Sequence, residues 1–205
     1  MDKFYNLTVD KQTTIVDAAL QAFGTNGYKK TSVSDIANVA GISKAMVFHY
    51  FGTKKDLYLF LLDYCFQLIM EEIDEKFDKD ITDFFERITM AATIKTGVIK
   101  KHPAALSYLS SVFFESNEEV KEDIKKWMSK SDVFRDKIAF EGMDYSKFKE
   151  GVDVKLVMKM LMWISEGFVN QAKSNQVMDL DNMMKDFTES MNLLKSNLYK
   201  EEYKL

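Results

Sequence analysis

Residues Thr31–Leu57 read TSVSDIANVAGISKAMVFHYFGTKKDL, and their spacing decides the fold. Val33, Ile36, Ala37 and Ala40 recur at i, i+3, i+4 and i+7, which places them on one face of a short helix. Gly41 follows where a helix end favours a positive φ, so the first helix is predicted to stop there. Ser43 can accept a hydrogen bond from the free N–H groups of a second helix, on which Met46 or Val47, then Tyr50 and Phe51, return at helical spacing. The two helices meet across Gly41, Ile42 and Ser43. Ala37 is small enough for a close crossing, and Ile42 fills the space between them. Thr53 then stands where it can cap a third helix.

That arrangement is a helix-turn-helix, which presents the start of its second helix to the major groove of DNA. Here the exposed start is Ser43, Lys44, Ala45 and Met46, with His49 one turn on. Lys54 and Lys55 fall in the first turn of the next helix, where positive charge opposes the macrodipole. Two lysines alone are an ordinary solvated pair. With the Thr31 hydroxyl at the other end of the motif, they bracket the groove-reading helix and mark a site for backbone phosphates.

The stretch resembles the amino-terminal DNA-binding signature of the TetR family of bacterial transcriptional regulators. The residues that carry the resemblance are Thr31, Ile36-Ala37, Ala40-Gly41-Ile42-Ser43, Val47-Phe48, His49-Tyr50-Phe51, Lys54 and Leu57. It covers roughly the first quarter of the chain. It implies that Thr31 and Lys54 hold phosphates while Ser43, Lys44, Ala45, Met46, His49 and Tyr50 read bases; Ser32, Ser34 and Lys55 complete the expected DNA-binding set. Phe48 stands where the family usually has Tyr, and a phenyl ring offers no hydroxyl to a phosphate. Ala45 likewise replaces the common Gly.

A chain of 205 residues with one Pro, eight Gly and abundant Met, Leu, Lys, Glu and Phe is expected to be all-α. With 29% charged residues, and no apolar run near the roughly 18 residues that span a bilayer, no membrane segment is predicted. The first residues carry no export signal, so a cytoplasmic location is expected. Cys65 is the single cysteine; it follows an apolar stripe and is read as a buried thiol. The net charge of −4 hides an asymmetry: up to Leu57 there are seven Lys against five acidic residues, a balance of +2 that leaves −6 for the rest. Between Tyr28 and Lys55 five Lys face only Asp35, so the basic charge is concentrated on the segment that would meet phosphates.

Upstream, Ile15, Ala18, Ala19, Ala22 and Phe23 line a helix over Thr8–Thr25, ended by Gly24, Asn26 and Gly27, with Tyr28 closing a three-helix head. Downstream, Leu57, Phe60, Leu61, Tyr64 and Leu68 continue toward Phe77 as a connecting helix that would act as a lever. The expected division is a DNA-binding head, residues 1–55, and a helical regulatory and dimerisation bundle, residues 56–205. Further helices are expected over Ile81–Lys100, Ala104–Glu115 with Pro103 at its start, and Glu118–Phe140. Over Asp153–Lys173, the residues Leu156, Val157, Met160, Leu161, Trp163, Ile164, Phe168 and Val169 occupy more than one face, so that helix needs cover on two sides. Asp179–Leu198 supplies its partner. The family resemblance implies that these last two long helices pair with their copies in a homodimer, and a twofold dimer would double the contacts on a palindrome.

The expected function is that of a homodimeric regulator of transcription, a repressor released from its palindromic operator on double-stranded DNA by a small apolar effector. Phe84, Ile88, Phe113, Trp127, Met158, Met162 and Trp163 are the candidates to line an effector cavity. An enzyme is disfavoured. No nucleophile–base pair, glycine-rich phosphate loop or metal-ligand spacing is present, and His49 and His102 are the only histidines, so neither cofactor nor metal is expected. The alternative is an effector-independent DNA-binding or interaction module whose helical core is solid.

Overall fold

A computed structural model of the chain describes residues 2–174 and 179–204; the side chains of residues 169–174 lie outside the described set, and Val169 with them. With so few breakers the chain folds as helices: α1 (Asp2–Tyr5), α2 (Val9–Lys30), α3 (Val33–Val39), α4 (Lys44–Phe51), α5 (Lys54–Lys76), α6 (Phe84–Lys101), α7 (Pro103–Phe113), α8 (Lys121–Phe140), α9 (Val154–Ser174) and α10 (Leu180–Leu198). Among the described residues there is no strand, and Phe148 and Tyr199 meet only as an isolated antiparallel bridge. The all-α expectation holds.

The helices form two compact units, each with its own core. One comprises the residues up to Glu71 together with Val98–Asp132; the other comprises Glu72–Gly97 and the residues from Val133 on. Residues of the expected head therefore share a core with α7 and the first part of α8. Phe23, Tyr28 and Tyr108 surround Tyr58 edge-on, with centroids 5.0, 5.2 and 5.2 Å away, and the Tyr108 hydroxyl donates to the Tyr58 carbonyl at 2.5 Å. Phe4 of α1 plugs the same core against Phe51 and Phe60 at 4.9 and 5.4 Å.

Helix α2 corrects one expectation. Its helical path breaks at Gly27, whose φ of 69° and ψ of 176° are open to glycine. Gly24 does not end the helix; it lies inside it, where α7 crosses. A Cβ there would lie 2.5 Å from Ser107 Oγ and 2.8 Å from the Tyr108 backbone nitrogen, so the absence of a side chain sets the approach of the two helices. Gly24→Ala gains about 1 kcal/mol of helix propensity but must push backbone aside, a strain of about 1–3 kcal/mol. We expect a thermal midpoint lowered by about 2–6 °C. An unchanged or raised midpoint would contradict the close crossing.

In the second unit, Asp83 starts α6 by accepting from the Glu86 backbone at 3.1 Å, and its other oxygen meets Lys195 at 3.2 Å and Lys147 at 3.5 Å. Tyr199 packs on Phe148 at 4.7 Å and its hydroxyl accepts from the Phe84 backbone at 3.1 Å, tying the end of α10 to the start of α6. Helix α9 has the two apolar faces its sequence demands. Val154, Val157, Met158 and Leu161 are buried, while Leu156, Met160 and Trp163, spaced by four and three residues, are 49%, 41% and 54% exposed. No described helix is long and apolar enough to cross a membrane.

Candidate nucleic-acid interface

The helix-turn-helix is built from local hydrogen bonds that its residues prescribe. Ser32 caps α3, its hydroxyl accepting from the Ser34 backbone at 3.2 Å, and Ser43 caps α4 by accepting from the Met46 backbone at 3.2 Å. Between them Gly41 takes a φ of 68°, and the Ile42 N–H returns to the Ala37 carbonyl at 3.0 Å. Ala37 and Ala40 are buried where the helices cross, and Val47 fills the same interior from α4.

The third helix begins with a reciprocal cap. The Asp56 carboxylate accepts from the Thr53 backbone at 3.0 Å and from the Thr53 hydroxyl at 2.6 Å, while that hydroxyl accepts from the Asp56 backbone at 3.0 Å. Gly52, at φ 86°, makes the turn that precedes it. These bonds leave Lys54 and Lys55 on the outside of the first turn of α5. The Lys54 ammonium lies 4.6 Å from the centre of the Tyr28 ring and donates to the Lys29 carbonyl at 3.4 Å. Burial pushes Lys54 down from its ordinary range, against the opposing pull of Glu119 and Glu115. Lys55 pairs with Asp123 at 2.6 Å.

The expected DNA-binding residues divide by exposure. Ser43, Lys44, Ala45 and His49 face solvent on α4; Met46 is half-buried, as are Ser32, Ser34, Lys54 and Lys55. Tyr50 is turned inward, only 9% exposed, and packs edge-on to Phe4 and Phe51. Thr31 is 4% exposed, and its hydroxyl donates inward to the carbonyls of Gly27 at 2.7 Å and Ala22 at 3.1 Å. It fastens the end of α2, and Ser32 holds the capping position at the start of α3. The physical reason is the break at Gly27, after which Thr31 sits against the carbonyls of its own helix and shares its one hydroxyl proton between them. Phe48, outside the expected set, joins the exposed face: it is 39% exposed, with the Lys44 ammonium 5.8 Å above its ring. Its place one turn after Lys44 is the signal in the sequence that marks it.

The seven candidate effector residues are divided between the two units. Phe113 and Trp127 belong to the first unit, Phe113 against Phe114 and Trp127 against Phe66. Phe84, Ile88 and Met158 are buried in the second core, Met162 is packed at its edge, and Trp163 faces solvent. The second unit instead carries an open groove of about 530 Å³ along α6 and α10, with Ile81, Phe85, Met90, Ile94 and Met191 as its apolar lining and Lys76, Glu86 and Lys195 as its charges.

Residues 15–60 match the family described as bacterial regulatory proteins, tetR family. The fatty acid metabolism regulator protein of Bacillus subtilis (strain 168) is 29% identical over 178 residues, 83% of this chain and 88% of the relative. The crystal structure of the FadR regulator from Bacillus subtilis in complex with stearoyl-CoA aligns at a TM-score of 0.71 and 25% identity, covering 87% of this chain and 96% of that one. A TetR family regulator from Chloroflexus aurantiacus J-10-FL shares the fold, at a TM-score of 0.73 and 16% identity over 98% of both chains. With its capped helix-turn-helix inside the matched segment, the chain carries the amino-terminal domain of the tetR family of bacterial regulatory proteins and is similar over most of its length to a regulator protein.

Proposed function

We propose that this regulator is a homodimeric repressor that leaves a palindromic operator when a small apolar effector binds. The observation that carries the reading is the solvent-facing start of α4, where Ser43, Lys44, Ala45, Phe48 and His49 form one surface beside the α5 lysines. In the proposed division, residues 1–55 bind DNA in the cytoplasm, and residues 56–205 hold the effector and the partner copy. Lys54 and the free N–H groups of its helix grip phosphates, with Lys55 beside them paired to Asp123 and with Ser32 and Ser34 at the opposite edge; Lys44, Ala45, Met46 and His49 approach base edges. The buried Thr31 and Tyr50 support this surface from behind.

The uncovered stripe Leu156, Met160, Trp163 on α9, with Leu193 66% exposed on α10, supports a second copy as the cover. Two heads so joined must span successive major grooves, about 34–36 Å apart, and an effector that favours another spacing releases the operator. The likeness to the Bacillus subtilis fatty acid metabolism regulator protein, and to the FadR structure from Bacillus subtilis in complex with stearoyl-CoA, supports a long-chain acyl thioester as effector class. The groove on α6 and α10 supplies an apolar channel with ammonium groups beside it. Acyl-CoA thioesters of graded chain length, added to the protein–operator complex, should release it at micromolar concentration only above a threshold length; insensitivity at every length would exclude this effector class.

Lys44→Ala should change which duplexes are selected while leaving binding to random duplex within about twofold, because a base contact of this kind contributes about 1–3 kcal/mol of discrimination. Selection from a random library by the variant checks this. An unaltered consensus would remove Lys44 from base reading.

A further inference from the structure

The turn that joins α7 to α8 is the most acidic stretch near the DNA-binding surface. Between Glu115 and Asp123 it holds five carboxylates, Glu115, Glu118, Glu119, Glu122 and Asp123, against Lys121 alone. Two apolar anchors fix it to the first core: Val120 is fully buried and Ile124 is 4% exposed. Three of its carboxylates reach the end of the head that carries Lys54 and Lys55. Glu115 accepts from the Tyr28 backbone at 2.8 Å with one oxygen and from its own turn, Ser116 and Asn117, with the other at 3.0 and 2.8 Å. Burial, and then the Glu119 carboxylate, push the hydroxyl of Tyr28 up, and the ring of that tyrosine lies under the Lys54 ammonium. Asp123 takes Lys55 directly at 2.6 Å.

A lysine paired in this way is not available to a phosphate without losing its partner. Resting on the reading that this edge of the head meets the DNA backbone, we propose that Asp123 withholds Lys55 from the phosphates, so that the acidic turn acts as an intramolecular competitor that sets operator affinity below what the head could reach. Glu115 fixes the turn in register by accepting from the Tyr28 backbone. The device is electrostatic and exposed, so it acts strongly at low ionic strength and fades as salt screens both the pair and the phosphates. It gives the regulator a means of keeping binding reversible: a cation of the right charge and place is present but already occupied.

The pair is accessible, and replacing Asp123 by its uncharged isostere leaves Val120 and Ile124 in place. Asp123→Asn in the full-length protein should bind a duplex about three to five times more tightly at low salt, as expected for release of an exposed ion pair. The plot of log affinity against log salt should steepen by about 0.9 per head, because Lys55 then neutralises one further phosphate. Lys55→Ala should be nearly neutral in the wild-type background yet reverse the whole increase in the Asp123→Asn background. Glu122→Gln, which removes the same charge one residue away, should change affinity by less than half as much. Wild-type binding with an unchanged Asp123→Asn slope would overturn the latch alone, as would tighter binding that persists without Lys55, since that would be general repulsion by the turn. Absence of salt-dependent binding by the wild type would overturn the DNA-binding reading, and the latch with it.

Discussion

Arg87→Ala is expected to lower the free energy of unfolding in urea by about 3–4 kcal/mol, the largest stability effect expected of any single substitution in this protein's second unit. The guanidinium is 3% exposed and carries out three tasks at once. Its Nε donates to the Ile138 carbonyl at 2.8 Å, and one terminal nitrogen donates to the Ile81 carbonyl at 2.5 Å and the Lys79 carbonyl at 3.4 Å. It also lies 5.0 Å from the centre of the Phe77 ring. Ile138 falls in the last turn of α8, where helix carbonyls have no partner within the helix, and Ile81 lies in the irregular segment before α6. Truncation would leave both acceptors buried and unmatched, each at about 1–3 kcal/mol, and would open a cavity beside Phe77. Arg87→Met restores the volume without the donors and should recover part of the loss. The urea midpoints of the two variants check the assignment; an Arg87→Ala loss under about 1 kcal/mol would show that water satisfies these carbonyls instead.

Lys54→Ala is the second large effect and concerns DNA. The variant should bind selected and random duplex alike about ten times more weakly at low salt, with a log–log salt slope shallower by about 0.9 for each head, because a phosphate contact carries no sequence information. Lys54 also covers the Tyr28 ring, so its removal bears on the head's packing as well. Lys54→Arg separates the two: it keeps a cation over the ring and a donor for phosphate, and should return most of the affinity. A low-salt titration in which Lys54→Ala equals the wild type would remove this lysine from the interface.

Most of what is legible in the sequence is local. Gly41 and Ser43 act within a few residues of themselves, and the turn and cap they prescribe form as read. The same holds for Thr53, although its partner Asp56, which completes the cap from both sides, emerges only in the structure. Long-range partners are illegible for a physical reason: periodicity tells which face of a helix is apolar, not which helix will cover it. Gly24 shows this well, since a glycine near a helix end reads as a terminator until α7 is seen crossing above it. Thr31 reads as a phosphate contact because its inward acceptors are seen only once Gly27 has broken α2. For Phe4 and Arg87, nothing in the spacing marks one as a core plug and the other as a carbonyl clamp. The α9 stripe is the converse case. Its two apolar faces are visible in the sequence, and the fold of one chain leaves Leu156, Met160 and Trp163 exposed as that reading requires.

The charge distribution explains how an acidic protein can bind a polyanion. The surplus of Lys is local to Tyr28–Lys55, and it survives folding only in part, since Lys55 is paired with Asp123. Affinity on this account comes from a few well-placed contacts made twice, rather than from a basic face.

The most direct test of that account is selection of duplexes from a random-sequence library by the full-length protein at low salt. The account predicts enrichment of an inverted repeat whose half-site centres lie about one helical turn or a multiple apart, with binding that weakens steeply as salt rises. Recovery of no common sequence, together with binding that is absent or indifferent to salt, would contradict it.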